Sequence, residues 1–198
     1  MLEIQARLEK RDLEIKVFAP TGRAAKVASV ATKRKAETVH RGLEYSPING
    51  FTFNERNPID ADVVIIDEFS MMDVELTAHL FNAIPAECKV ILIGDTKQLS
   101  SVGPGRVLKD LIESNLIPTV VLDVVKRQAE GSDIIANANR IIEGKMIEVL
   151  PNTKDAYFIP KTEVAASQKV LLDGISRLLE KGEKIKDIQV LVPMKKGE

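Results

Sequence analysis

The sequence predicts an α/β fold: a parallel sheet with helices on both faces. Two apolar runs, at 62–67 and 89–95, are rich in Val and Ile, and helical patterns alternate with them along the chain. Strands that are apolar at every position, rather than at alternate positions, are typical of sheets buried on both faces. Alternation of strands with helices favours parallel pairing, because parallel neighbours need a crossover connection, which is usually a helix.

Before the first of these runs, the sequence predicts a charged amphipathic helix, a strand ending at a proline, an alanine-rich helix, a short helix and a small hairpin or surface excursion. In that order they occupy residues 1–12, 14–20, 23–31, 39–44 and 46–58. Thr21 and Thr38 precede two of the helices, where a hydroxyl can accept a hydrogen bond from a free N–H group. Pro, Gly and Asn around Phe51 favour the hairpin.

After the first apolar strand, Asp73 is the expected N-cap of a helix carrying Leu76, Leu80 and Phe81. The second strand leads through a loop to a helix ending near Glu113, with Pro104 expected at the first helical position. The remaining predicted elements are strands at 119–125, 157–159 and 187–192, a helix from Ser132 to Gly144 and a helix at 162–181. Because 115–118 breaks the pattern, the predicted domains are residues 1–118 and 119–198.

The amino-acid composition argues against several classes of protein and site. The 198 residues are 44% hydrophobic, 29% charged and 4% aromatic, with a net charge of −1. A near-neutral chain is unlike a histone-type binder, and few aromatics make an aromatic platform for single strands improbable. One cysteine, Cys88, excludes an internal disulfide, and two separated histidines argue against a zinc site. No apolar run reaches the roughly 20 residues that span a bilayer, so a soluble cytoplasmic protein without membrane partners is expected.

Polar side chains follow both apolar strands, at the edge where α/β sheets bind ligands. Asp67 and Glu68 come directly after the first strand, and Asp95 and Gln98 follow the second. An apolar strand running into Asp-Glu is the Walker B arrangement, in which the Asp holds Mg²⁺ and the Glu orients an attacking water. Gln98 could sense a terminal phosphate. An acidic turn that caps the next helix, with an ordinary loop amide nearby, is the alternative.

Other polar positions are open to two interpretations. Free N–H groups after Pro20, with the Thr21 hydroxyl, could hold a phosphate of a nucleotide or a nucleic acid, or form a plain helix cap. The Thr38–Arg41 segment could be a capped helix with solvated side chains. Arg127 could be a surface residue or an arginine finger that contacts a γ-phosphate.

Taken together, these segments resemble RecD-type DNA helicases, the exodeoxyribonuclease V alpha subunit family of superfamily 1B. The resemblance extends over almost the whole chain in the family's order. It is carried by Ala19–Ala25 (motif Ia), Thr38–Arg41, Ile65–Asp73 (motif II), Gly94–Gly105 (motif III), Arg127–Ala129 (motif IV) and Val190–Gly197. Lys97 and Ser100 depart from the family pattern, where an acidic residue and a proline are usual. Neither departure removes a catalytic group.

The resemblance implies a RecA-like P-loop NTPase fold, with motor domain 1 at residues 1–118 and part of motor domain 2 at 119–198. It also implies ATP and Mg²⁺ as cofactors. Asp67 would bind Mg²⁺ and Glu68 would orient the hydrolytic water. Asp95, Gln98 and Arg127 would complete the nucleotide site. The implied DNA-contacting residues are Pro20, Thr21, Gly22, Arg23, His40 and Arg41. Such enzymes move 5′ to 3′ on single-stranded DNA and unwind duplex DNA in repair and recombination.

One expected motif is absent: no G-x-x-x-x-G-K-[ST] loop occurs in the sequence. We therefore expect an internal fragment of a helicase, without ATPase activity or bound cofactor by itself, whose exposed sheet edges invite self-association. Possible partners include subunits of a nuclease-helicase complex. A non-catalytic α/β module that binds single-stranded DNA or a partner subunit is the main alternative. A different ATP-using enzyme with its P-loop further upstream is another.

Overall fold

The computed structural model describes residues 13–122, 132–148 and 155–192. The chain divides into two compact units, Met1–Asp123 and Val124–Glu198, and each is described separately. The predicted helix at 1–12 lies outside the described residues. The assignment of the units as two motor domains stays a prediction.

Parallel strands form the sheet of the first unit. The strands in chain order are β1 (Ile15–Ala19), β2 (Ala36–Thr38), β3 (Tyr45–Ser46), β4 (Gly50–Phe51), β5 (Val63–Ile66) and β6 (Lys89–Leu92). Four of them pair in the order β2-β1-β5-β6, all parallel. β3 and β4 form a separate antiparallel hairpin, with Tyr45 opposite Phe51. The predicted parallel sheet and hairpin are confirmed.

Helices follow the strands much as predicted. They are α1 (Gly22–Thr32), α2 (Val39–Gly42), α3 (Val74–Ala83), α4 (Val107–Glu113), α5 (Asp133–Ile142) and α6 (Val164–Glu180), with 3-10 turns at Phe69–Met71 and Ile185–Asp187. Asp73 is the N-cap of α3, where its side chain accepts from the Leu76 amide at 2.7 Å. Pro104 does not begin α4, because the turn that contains it ends before Arg106, the residue preceding the helix.

The core lies on both faces of β5, whose four side chains are 0% exposed. Because successive side chains of a strand point to opposite faces, Val63 and Ile65 join one cluster and Val64 and Ile66 join the other. The first cluster includes Ala28 of α1. The second contains residues of α2, α3 and α4, together with the residue that follows α2: Val39, Leu43, Leu80, Ala83 and Leu108. Helices therefore cover both faces, as predicted.

One glycine explains how α2 approaches the sheet. A Cβ on Gly42 would overlap the Phe18 ring of β1, and the ring atom Cδ1 would lie 2.8 Å away. Phe18 is fully buried and has no room to move. Only a glycine lets this short helix pack so closely on the strand.

Some strand predictions were wrong for the described residues. Segments 119–122, 157–159 and 188–192 form no strand there, and β2 was not predicted at all. Val120 and Leu122 are 86% and 90% exposed. β-branched composition supplies only a propensity, and a strand needs a neighbour to complete its ladder. β2 has that neighbour in β1, although its sequence Ala-Glu-Thr gives no apolar signal.

In the second unit, α5 has a two-part cap. The Ser132 side chain accepts from the Ile135 amide at 3.4 Å, which confirms it as the N-cap. The Ser132 hydroxyl donates to the Asp155 carboxylate at 2.6 Å, and the Asp133 amide donates to the same carboxylate at 2.9 Å. These bonds, led by the Ser132 hydroxyl, hold the pKa of Asp155 below its ordinary value.

Among the described helices, none has both the length and the apolar character needed to span a bilayer.

Candidate functional site

The candidate site lies at the carboxyl edge of the four-stranded sheet. Phe18 of β1, Ile66 of β5 and Leu92 of β6 are in register, so the residues that follow these parallel strands emerge together. This edge therefore brings together the predicted site segments that start at Pro20, Asp67 and Gly94. Thr38, at the end of β2, pairs with Ala19 and adds a fourth segment.

Asp67 and Glu68 lie at the centre of this edge, directly after β5. The Asp67 amide donates to the Phe18 carbonyl oxygen at 2.9 Å, which continues the sheet pairing by one residue. Glu68 then turns the chain with a left-handed backbone, φ 53° and ψ 38°. Both side chains are half-buried. Within the described part of the chain, neither carboxylate accepts a hydrogen bond or pairs with a cation.

A left-handed backbone at a non-glycine residue costs energy, and such strain tends to occur at functional sites. Here it lies between two half-buried acidic residues at the end of β5 and a next residue that returns to the core. Phe69 is 0% exposed, and its amide donates to the Ile93 carbonyl oxygen at 2.8 Å. The turn is therefore fixed on both sides of Glu68.

Gly94 permits the end of β6 to lie against this turn. A Cβ at Gly94 would be 2.9 Å from the Ser70 amide nitrogen and 2.8 Å from a Leu108 methyl carbon. Backbone atoms cannot move aside, so only glycine fits. This contact brings Asp95 out of the sheet beside the Asp67–Ser70 turn.

Asp95 and Gln98 form a small hydrogen-bonded loop. One Asp95 carboxylate oxygen accepts from the Lys97 amide at 2.9 Å, and the other accepts from the Gln98 side-chain amide at 3.3 Å. The Gln98 backbone amide also donates to the Asp95 carbonyl oxygen at 3.2 Å. Asp95 thus orients Gln98, while both side chains remain exposed.

This edge fits a divalent cation of the magnesium type. Mg²⁺ in nucleotide enzymes keeps several waters and takes one or two protein carboxylates, with the remaining ligands from phosphates. Asp67 and Glu68 supply two unpaired, half-buried carboxylates at one point. A cage made only of protein ligands is not present, because the described residues hold no cluster of three or more His, Cys, Asp or Glu.

Thr21 and Thr38 are both helix caps. The Thr21 hydroxyl oxygen accepts from the Ala24 amide and the Thr38 hydroxyl oxygen accepts from the Arg41 amide, each at 3.2 Å. The space around Gly22 is open, because no atom lies within 4 Å of the place that a Cβ would occupy there. Exposed Arg23 and Lys26 line a groove on α1 together with Val27, Val30 and Ala31.

Sequence reasoning missed a cluster of rings beside α2. His40 packs edge-on against Tyr45 with 5.4 Å between ring centroids, Tyr45 lies 4.9 Å from Phe51, and Phe51 lies 4.5 Å from His79. Tyr45 is 48% exposed. The low aromatic content concealed this cluster. Pairing of Tyr45 with Phe51 across the predicted hairpin is the one signal that could have revealed it.

Arg127, the predicted arginine finger, lies outside the described residues. The other predicted site residues all follow strands that end at the same edge of the sheet.

A parallel sheet with helices on both faces and acidic residues at its carboxyl edge is the form expected of an α/β fold of the P-loop NTPase type. A family model described as an AAA domain matches residues 1–163. The chain belongs to this family.

Curated relatives show which proteins within this class the chain is similar to. The ATP-dependent RecD2 DNA helicase of Deinococcus radiodurans is 41% identical over 137 residues, which is 69% of this chain and 19% of that protein. The RecBCD enzyme subunit RecD of Haemophilus influenzae is 34% identical over 149 residues, 61% of this chain and 23% of that protein. The resemblance to RecD-type helicases is thus confirmed, and the chain spans about a fifth of the length of these relatives.

A solved structure of Pif1 helicases at forked double-stranded DNA superposes with a TM-score of 0.48 and 20% identity. The superposition covers 86% of this chain and 50% of that chain.

Proposed function

We propose that this chain is the part of an ATP-dependent 5′–3′ DNA helicase that holds the hydrolytic carboxylates and a segment of the single-stranded DNA path. One observation carries the proposal: Asp67 and Glu68 stand unpaired, among the described residues, on a strained turn at the carboxyl edge of the sheet. The name of one relative, the ATP-dependent RecD2 DNA helicase, supports ATP-dependent helicase activity. Mg²⁺ and ATP are the proposed cofactors, and Mg²⁺ would neutralise charge on the phosphates.

Each residue at the edge has a distinct part in this proposal. Asp67 would hold the cation, because it directly follows a rigid, fully buried strand. Glu68, displaced by its left-handed backbone, would orient a water and accept its proton. Gln98, oriented by Asp95, would contact the terminal phosphate and transmit its presence to the loop. Arg127 would approach the same phosphate from the predicted second domain.

The DNA-contacting part of the proposal rests on the segments at the ends of β1 and β2. Free backbone N–H groups at the start of α1 favour phosphate oxygens, and Arg23 adds positive charge. Pro20, Thr21 and Gly22 precede it at the same edge. His40 and Arg41 lie on α2. The His40 ring contacts the rings of Tyr45 and Phe51, and a DNA base could stack on this group of rings.

A non-catalytic module that binds single-stranded DNA or a partner subunit is the second candidate. It is favoured by the absence of a G-x-x-x-x-G-K-[ST] loop from the sequence. Edge strand β6, with Val90 39% exposed, could support self-association or a partner subunit of a nuclease-helicase complex. The proposed location is the cytoplasm.

The experiment is a measurement of ATP hydrolysis by the full-length helicase, with and without single-stranded DNA. Asp67→Asn and Glu68→Gln each remove one charge with little change in volume, and we expect both to lower kcat at least about a hundredfold. Glu87→Gln, at the opposite edge of the sheet before β6, is the matched control and should keep wild-type kcat. Full activity of Glu68→Gln would contradict the catalytic assignment. A full-length gene without any phosphate-binding loop would favour the non-catalytic module.

A further inference from the structure

The loop from Asp95 to Arg106, between β6 and α4, is held against the Asp67–Val74 segment at both of its ends. At the first end, the Phe69 amide bonds the Ile93 carbonyl oxygen and Gly94 packs on the same turn. At the second end, the Val74 amide donates to the Pro104 carbonyl oxygen at 3.0 Å. Since Val74 begins α3, this bond satisfies one of the amides that every helix start leaves free.

The second end is shaped by two glycines. A Cβ on Gly103 would overlap the Asp73 carboxylate oxygen Oδ2 and would lie 2.8 Å from its Cγ. Gly105 has φ +98°, which L side chains rarely adopt, and packs on the Val74 side chain. The Ser101 hydroxyl donates to the Gly103 and Gly105 carbonyl oxygens at 2.9 and 3.1 Å. These contacts make a compact turn that packs closely against Asp73 and Val74.

Asp73 cannot move away to make room. Its Oδ1 caps α3 by accepting from the Leu76 amide at 2.7 Å, while its Oδ2 faces Gly103. Between the two anchored ends, residues 95–100 are exposed. The hydrogen bonds to the Asp95 side chain come from Lys97 and Gln98, within the loop itself. The position of Gln98 relative to Asp67 and Glu68 is therefore set by the two ends.

We propose that Gly103 is a positioning residue: its close contact with Asp73 closes the Asp95–Arg106 loop and places Gln98 for its role beside Asp67 and Glu68. The inference rests on the proposed function, in which Gln98 contacts the terminal phosphate. Gly103 itself touches no substrate. It acts through the bond from Val74 to Pro104.

The first arm of the test uses the 198-residue chain and amide hydrogen exchange of Val74 by NMR. Gly103→Ala should make this amide exchange about tenfold faster, because its hydrogen bond to Pro104 is lost. Asp73→Gly removes every Asp73 atom that the new Cβ would meet, and glycine is a tolerated N-cap. The double variant Gly103→Ala/Asp73→Gly should therefore recover slow exchange. Gly174→Ala, with nothing within 4 Å of its Cβ, is the matched control. Unchanged exchange in Gly103→Ala would overturn the proposal.

The second arm measures kcat of ATP hydrolysis stimulated by single-stranded DNA in the full-length helicase. Gly103→Ala should lower kcat, and Asp73→Gly should restore it. Combined with Gln98→Ala, Gly103→Ala should cause no further loss, because both changes remove the same contribution. Losses that multiply in the double variant would overturn the positioning role. If Gln98→Ala alone leaves kcat unchanged, the proposed function fails at Gln98, while exchange at Val74 still decides whether Gly103 closes the loop.

Discussion

Replacing Glu68 tests whether the carboxylate turn is strained. Glu68 has φ 53°, a conformation that costs an L-residue roughly 1–2 kcal/mol and costs glycine almost nothing. Alanine keeps that cost and removes the side chain. Glycine removes that cost, but it also lowers the free energy of unfolding by about 0.5–1 kcal/mol, because the unfolded chain is more flexible at a glycine. We expect Glu68→Gly to be more stable than Glu68→Ala by about 0.5–1 kcal/mol.

The assay is thermal unfolding of both variants, where this difference amounts to about 1–4 °C in Tm for a chain of this length. Lys33 is the matched control, because it has φ 55° at the end of α1 and no assigned role. The Tm of Lys33→Gly should be higher than that of Lys33→Ala by a similar amount. If glycine stabilises at Lys33 but not at Glu68, the argument that Glu68 is strained is refuted.

The Glu68→Gly substitution also tests the proposed catalytic role of Glu68. In the full-length helicase, Glu68→Gly should lose DNA-stimulated ATP hydrolysis even where it does not lower Tm. Loss of activity without loss of stability would indicate that Glu68 serves the reaction rather than the fold. Lys33→Gly should keep wild-type activity.

Three further predictions concern other parts of the chain. Asp155→Asn should lower the stability of the second unit at about pH 7, and this loss should shrink as the pH falls. The hydrogen bond from the Ser132 hydroxyl holds the folded pKa of Asp155 below its ordinary value, so its contribution is present at neutral pH and is lost as the pH falls through the folded pKa. Urea unfolding over a series of pH values measures this. Gly42→Ala should destabilise the first unit by about 1–3 kcal/mol, because its Cβ would overlap the buried Phe18 ring, and its Tm can be compared with that of Gly174→Ala. The 198-residue chain alone should not hydrolyse ATP, since its sequence has no P-loop; a phosphate-release assay showing DNA-stimulated turnover would contradict this.

Sequence patterns predicted the fold well where burial decided the structure. β5 was predictable because four apolar residues can be buried only between two layers of helices. Asp73 and Ser132 were predictable as caps because short polar side chains bond nearby amides directly. β2 was not, since Ala36–Thr38 is a polar edge strand whose existence depends on its neighbour β1.

Contacts between distant residues were beyond the reach of sequence patterns. The parallel strand order brought Asp67 and Asp95 to one edge, as predicted. The left-handed backbone of Glu68 and the packing of Gly103 on Asp73 depend on tertiary structure, and neither leaves a local signal in the sequence. Three apolar segments predicted as strands lacked a partner among the described residues, which shows that propensity alone does not make a strand.

Strand displacement by the full-length helicase tests the central claim most directly. The substrates are duplexes with a 5′ or a 3′ single-stranded tail, and the proteins are wild type and Glu68→Gln. Wild type should unwind the 5′-tailed duplex and leave the 3′-tailed one intact. Glu68→Gln should bind the tail and release no strand. ATP hydrolysis without displacement of the 5′-tailed strand, or equal unwinding by Glu68→Gln, would contradict the claim.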